Sequence, residues 1–165
     1  MSRIFILFSL TFTLLFSQNL EEFPFIGVTV GVHTIDIDPI ADKSSPDETT
    51  GGIRFGKQTI DWRTMFTLEG NNNYQSFSLE VDKILLDELF GMPELRPYLG
   101  ATVGYLHYEN GSIDDDSFYY GGNFGFLVYV TDDIDADLSY HYHKIQDMEL
   151  LDTMQGGTLG IHYFY

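Results

Sequence analysis

The chain contains no cysteine. Disulfides, thiolate nucleophiles, thiolate metal sites and lipid-modified cysteine anchors are thereby excluded. Basic residues are scarce: 8 Lys and Arg stand against 25 Asp and Glu, for a net charge of -17. Such a surface repels the phosphates that a nucleic-acid binder must neutralise, so nucleic acid is not expected as a partner. Long apolar runs are missing beyond residue 16, and tryptophan occurs once. What is plentiful is the aromatic ring, with 14 Phe and 11 Tyr in a chain that is 44% hydrophobic. That is not the composition of a disordered acidic chain, and 165 residues suit a single folded domain.

The one apolar run, "IFILFSLTFTLLF" (4–16), follows Arg3 and precedes the small Ser17. It reads as a secretory signal peptide, residues 1–17, removed by cleavage. As a helix it reaches only ~20 Å, short of the ~30 Å hydrocarbon core that a membrane anchor has to cross. Cleavage removes Arg3 and leaves the exported chain more acidic still.

Beyond the leader, apolar and polar residues alternate in eight segments separated by turn signals, the pattern of an all-β sheet. The first sets Ile26, Val28, Val30 and Val32 against Gly27, Thr29, Gly31 and His33. The seventh sets Ile134, Ala136, Leu138, Tyr140 and Tyr142 against Asp135, Asp137, Ser139, His141 and His143. The last sets Leu159, Ile161, Tyr163 and Tyr165 against Thr158, Gly160 and His162. Tight links join segments two to three and six to seven. The other links, "DIDPIADKSSPDETT", "EGNNN", "ENGSIDDDS" and "KIQDMELLDTMQGG", are mostly longer, polar and acidic, as expected for loops on the opposite side of a barrel. The link at 83–97 breaks this rule: Ile84, Leu85, Leu86, Leu89 and Phe90 are spaced for a brief helix, which Pro93 and Pro97 end before the fifth strand.

Alternation alone does not say which face is wet, since soluble and membrane barrels have opposite polarity. The polar parity is crowded with glycine, as at Gly27, Gly31, Gly52, Gly100, Gly121 and Gly160. Glycine weakens a strand unless close packing needs its small size, which points to a narrow lumen rather than a solvated exterior. The apolar parity is banded. Phe25, Trp62, Tyr163 and Tyr165 fall at the short-turn ends, and Tyr105, Phe118, Tyr120, Tyr140 and Tyr142 at the long-loop ends. Two aromatic girdles around an aliphatic waist match two membrane interfaces. The predicted fold is an eight-stranded antiparallel up-and-down transmembrane β-barrel over residues 24–165.

Three stretches, "RPYLGATVGY" (96–105), "ADLSYHYH" (136–143) and the terminal "TLGIHYFY", carry a resemblance to the small outer-membrane β-barrels of Gram-negative bacteria, the OmpA/OmpX-type and opacity-like family. The resemblance implies an outer-membrane location. It also implies a C-terminal assembly signal, here Leu159, Ile161, Tyr163 and Tyr165, read by the barrel-assembly machinery. The family's last residue is most often Phe; here it is Tyr165. A monomer surrounded by outer-membrane lipid and lipopolysaccharide is implied, without a cofactor and without a cell-wall-tethering role.

Two clusters on the polar parity bear on chemistry. Arg54, Arg63 and Glu80 are expected to form an ion cluster inside the barrel. A turn centred between residues 71 and 72 sets Arg63 opposite Glu80, and two lumenal arginines need carboxylates between them. Asp137, Ser139, His141 and His143 form a row open to two readings, a hydrolase or metal constellation and a set of hydrogen-bonding lumen residues. No metal site is expected. Asp114, Asp115 and Asp116 are read either as ligands for divalent cations or cation-bridged lipopolysaccharide, or as a solvated acidic loop. The function expected is non-enzymatic, structural or adhesin-like. A lipid-modifying outer-membrane hydrolase and a soluble periplasmic lipocalin-like carrier are the alternatives, and a wide pore is not expected because side chains fill an eight-stranded lumen.

Overall fold

The computed structural model describes residues 21–37, 47–85, 91–92, 94–110, 113–146 and 151–165. The predicted signal peptide lies outside them, and so does most of the predicted helix, at 86–90. Eight strands follow in order: β1 (Phe23–Ile37), β2 (Asp47–Gln58), β3 (Trp62–Gly70), β4 (Tyr74–Ile84), β5 (Leu95–Asn110), β6 (Ile113–Tyr129), β7 (Ile134–Ile145) and β8 (Leu151–Phe164). Each pairs antiparallel with the next, and β1 pairs with β8 to close the barrel, setting Val28 against Ile161 and Thr29 against Gly160. Closure removes the row of unpaired backbone groups that an open sheet exposes along its edges.

Period-two alternation turns one parity of every strand outward, and the polarity is the inverse of a soluble protein. Val28, Phe118 and Leu138 are 60%, 67% and 57% exposed, whereas Arg63, Asp82, Asp135 and Asp137 have no exposure. Charged residues are almost never fully buried unless paired, so the interior must satisfy them by hydrogen bonds and ion pairs. On the outer face Phe55, Phe66 and Phe77 stack in sequence across β2, β3 and β4, with ring centroids 5.4 and 5.8 Å apart. Each such pair contributes ~0.5–1.5 kcal/mol beyond its buried area. Trp62, Tyr105, Phe118, Tyr120, Tyr140, Tyr142, Tyr163 and Tyr165 all lie on this outer face.

Four features differ from the sequence expectations. Phe25 belongs to the lumen, not to a girdle: it is 1% exposed, shares the parity of Gly27, and packs on His162 at 4.8 Å. Secondly, the strands at the long-loop end run well beyond the apolar waist. The gap between β3 and β4 is residues 71–73 and that between β5 and β6 is residues 111–112. Inward residues such as Leu106, Tyr108, Ser117 and Tyr119 keep the alternation going there, so acidic composition marks the outer side of a strand pair as readily as a loop.

Thirdly, Ile84, expected in the helix, ends β4 facing inward, while residues 86–90 of that expectation lie outside the described residues. Fourthly, Pro97 lies inside β5 instead of before it. Its carbonyl accepts Leu85 N at 2.9 Å, so its missing N–H also faces the end of β4, beyond the last paired residues Ile84 and Tyr98. The ladder to β6 loses no bond there.

Candidate functional site: the polar lumen

Apolar clusters close both ends of the lumen. Ile84, Tyr98 and Leu127 pack together at the short-turn end, and Ile35, Tyr74, Leu106, Tyr119 and Met154 belong to a larger cluster at the other. Between them lie two polar layers.

The lower layer is centred on Arg63 of β3. Its Nε donates to Asp82 Oδ2 at 2.8 Å, its Nη1 lies 3.0 Å from Asp137 Oδ2, and its Nη2 lies 3.7 Å from Glu80 Oε1. The guanidinium also stands over the Tyr98 ring at 4.5 Å. Arg54 of β2 donates from Nη1 to the same Asp137 Oδ2 at 3.0 Å, and Tyr98 donates its hydroxyl to Asp137 Oδ1 at 2.7 Å. Asn123 of β6 joins the remaining carboxylates, donating from Nδ2 to Glu80 at 2.8 Å and to Asp82 at 2.9 Å. Gly100 makes this approach possible. A Cβ there would collide with Asp82 Oδ1 and come within 2.8 Å of both Asn123 amide atoms. Nearer the short turns, His162 Nδ1 is hydrogen-bonded to Asp135 Oδ1 at 2.7 Å.

The upper layer holds three imidazoles. His33 Nδ1 and His141 Nε2 lie 2.9 Å apart, and His33 Nε2 is hydrogen-bonded to Thr50 Oγ1 at 2.8 Å. The pairing needs Gly156, which stands between them on β8: His33 is paired with Gly156, and Gly156 with His141. A Cβ there would collide with the Val32 carbonyl and come within 2.9 Å of His33 Cα. His143 stacks on His141 at 4.8 Å and meets Tyr119 at 5.0 Å with the rings tilted by 34°. Beside them is a cavity of about 30 Å3 lined by His33, His141, His143, Ser139, Glu69 and Arg54 among others, room for about two waters.

The lumen therefore brings together Arg54, Arg63 and Glu80, but in a different register from the expected one. Arg63 is paired with Asp82, and Glu80 with Met65. The turn holds three residues, Asn71 to Asn73, with Asn71 Oδ1 accepting from the backbone N–H of Asn73 and Tyr74 at 2.8 Å each; this side-chain-capped turn shifts the pairing by two positions. Asp137 leaves the histidine row to bind the arginines. Among the described residues no hydrogen bond joins Ser139 to His141 or His143, and Asp137 touches neither histidine, so the serine, histidine and aspartate are not wired as a nucleophile, base and orienting acid. No group of three or more His, Asp or Glu among the described residues is arranged to hold a metal ion. Sequence reasoning missed Asp82, Tyr98, Asn123 and His33 as members of these layers. All four stood on the polar parity, Tyr98 with Gly100 and Thr102, but Asp82 meets Arg63 only through the shifted register, and Tyr98, Asn123 and His33 find partners on strands that do not follow their own in sequence.

No protein-family model and no curated protein matches the chain. Solved structures do. Neisserial surface protein A is 17% identical over 86% of this chain and 97% of its own, with a TM-score of 0.64. Outer membrane protein H of P. aeruginosa is 22% identical over 87% of this chain and 99% of its own, also at 0.64. This chain has the fold of the small eight-stranded outer-membrane barrels. Ail, the attachment invasion locus protein of Yersinia pestis, shares that fold at 14% identity and a TM-score of 0.55, over 88% of this chain and 100% of its own. At these identities the likeness is one of fold, and the chemistry of the lumen has to be argued from its own residues.

Proposed function

We propose that the chain is a non-enzymatic outer-membrane β-barrel, exported by a cleaved signal peptide, whose acidic long-loop end makes its contacts at the cell surface. The observation that carries this reading is the inverted polarity: a continuous apolar exterior around a lumen of paired charges, capped at both ends by apolar clusters. Hydrocarbon is the solvent that suits such an exterior, and only a closed sheet satisfies its backbone there. The lumen serves stability and, among the described residues, has no wired catalytic group, which supports a structural or adhesin-like role over a lipid-modifying hydrolase.

The surface role falls to the β5–β6 hairpin. It continues past the last residue pairs with its neighbours, Tyr74 with Tyr108 and Tyr119 with Ile145. On its outside His107 Nδ1 bonds Asp116 Oδ1 at 2.9 Å. The name of one structural neighbour, an attachment invasion locus protein, lends the adhesin-like part support at the level of fold alone. In this reading the barrel is a monomer, inserted by the barrel-assembly machinery and surrounded by lipopolysaccharide.

Fractionation of cells making the full chain, with gels of boiled and unboiled envelope, tests the proposal. The expected result is an outer-membrane band that migrates differently unboiled. Recovery in the soluble periplasm would support the lipocalin-like carrier instead, and a changed lipid A mass on expression would support the hydrolase.

A further inference from the structure

The described lysines differ in one respect. Lys57 is held by Glu22 at 2.7 Å and Lys83 by Asp61 at 3.2 Å, both near the short turns. Lys144 of β7 is exposed and, among the described residues, has no carboxylate within ion-pair distance. In a chain with 25 acidic residues an ammonium that no described carboxylate pairs at the acidic end requires an explanation.

Its position supplies one. Lys144 shares the outward parity with Ile134, Ala136, Leu138, Tyr140 and Tyr142, so β7 passes on its outer face from aliphatic to aromatic to cationic. It stands ten residues beyond Ile134, the first residue of β7. At ~3.3 Å per residue and a tilt of ~35–45°, that is a climb of ~25 Å, the height of the apolar band of an outer-membrane barrel. Lys144 therefore sits where hydrocarbon gives way to headgroups. Directly beside it, across the ladder, is Tyr120, and one step below is Tyr142; both are about half exposed. Tyr140, lower again, already donates its hydroxyl to Gln155 Oε1 at 2.8 Å. A lysine with two outward phenols at interface height offers one positive charge and two hydroxyl donors above an apolar wall, a set that fits an anion carried on acyl chains.

We propose that Lys144, Tyr120 and Tyr142 form a docking site on the outer wall for the phosphate of an outer-leaflet lipopolysaccharide anchor. The site rests on the outer-membrane reading above and assigns its lipid contact to one face, β6–β7. A free phosphate ion lacks the acyl chains that Phe124, Leu138 and Leu159 would meet below the site, so the lipid is the source of the anion. The lysine also takes the place of a bridging divalent cation in a region whose carboxylates would otherwise repel the headgroup.

The test is native mass spectrometry of the full chain refolded in detergent micelles, in the presence of a chelator, with bis-phosphorylated lipid A and with the same lipid dephosphorylated. Wild type is expected to retain the phosphorylated lipid, Lys144→Gln to retain it about tenfold less, and Lys83→Gln to match wild type. Tyr120→Phe with Tyr142→Phe should give a smaller loss, and inorganic phosphate at the lipid's concentration should not compete. Equal retention by wild type and Lys144→Gln, equal retention of both lipids, or displacement by inorganic phosphate would overturn the site. Unboiled gel mobility of each sample separates the two levels of the argument. A chain that never folds into micelles or vesicles defeats the outer-membrane reading, whereas a folded barrel that ignores the phosphate defeats this site alone.

Discussion

Replacing Arg63 with methionine is the sharpest perturbation of the lumen. The methionine keeps most of the side-chain length but removes the charge that touches Asp82 at 2.8 Å, Asp137 at 3.0 Å and Glu80 at 3.7 Å. Neither Arg63, Asp82 nor Asp137 has any solvent exposure, so water cannot take over. Arg54 remains, but among the described residues its ion pair is to Asp137, which leaves Asp82 and Glu80 facing each other beside two neutral donors, Asn123 on both and Thr102 on Glu80. Breaking a buried pair in this way costs ~3–5 kcal/mol. Because Asn123 keeps donating to both carboxylates, the lower end, about 3 kcal/mol, is expected.

The protein carries its own control. Lys83 and Asp61 form an ion pair at 3.2 Å with side chains 41% and 47% exposed, so Lys83→Met should cost at most about 1 kcal/mol. Urea titration of barrels refolded into lipid vesicles, read by unboiled gel mobility, measures both. Adding Asp82→Asn to Arg63→Met removes one stranded charge and should recover about 1–2 kcal/mol, a coupling typical of contacting residues. An Arg63→Met barrel within about 0.5 kcal/mol of wild type, or one no less stable than Lys83→Met, would refute the claim that the ion layer is dry and cooperative.

Two further outcomes follow from the outer face. Leu138 is 57% exposed and lies near mid-height on β7, so Leu138→Arg should destabilise the barrel in vesicles by ~2–4 kcal/mol; the same change measured as neutral would mean that this surface does not meet hydrocarbon. Tyr163 and Tyr165 are outward on and just beyond β8, 53% and 75% exposed, and changing both to Asp should leave exported chain that is degraded in the periplasm. Normal amounts of protease-resistant barrel in the outer membrane would remove the assembly-signal reading of the β8 stripe.

The fold was legible because a barrel writes its geometry locally. Side-chain direction in a strand has period two, so every segment reveals its own two faces without knowledge of its neighbours. Glycine on the polar parity then decided which face was inside, since Gly31 and Gly100 matter only where side chains converge in a narrow lumen. Strand ends were harder to read. Beyond the apolar waist the outer face turns from hydrocarbon to water, so outward residues such as Asp116 become polar while the inward Ser117 is polar as well. Alternation loses its contrast and a strand reads as a loop. Phe25 fails in the opposite way: an inward aromatic that seals the short-turn end has the composition of a girdle residue, and only its parity with Gly27 gives it away.

The site was less legible because its bonds join strands by register, and register is a sum over turns. The capped turn at Asn71–Asn73 exchanges Glu80 for Asp82 opposite Arg63, and the rest of the layer follows from that one shift. Asp137 illustrates the limit. Its spacing from Ser139 and His141 suits a catalytic row, yet the nearest opposite charges come from β2 and β3, on the far side of the ladder order. Two arginines held at 3.0 Å outweigh any neutral imidazole as partners for a buried carboxylate. Sequence spacing along one strand sets which residues share the lumen. Closure of the barrel sets which of them touch, and in this protein closure places the arginines and their carboxylates together in the lower layer and gathers His33, His141 and His143 in the upper, with Thr50 and Glu69 beside His33.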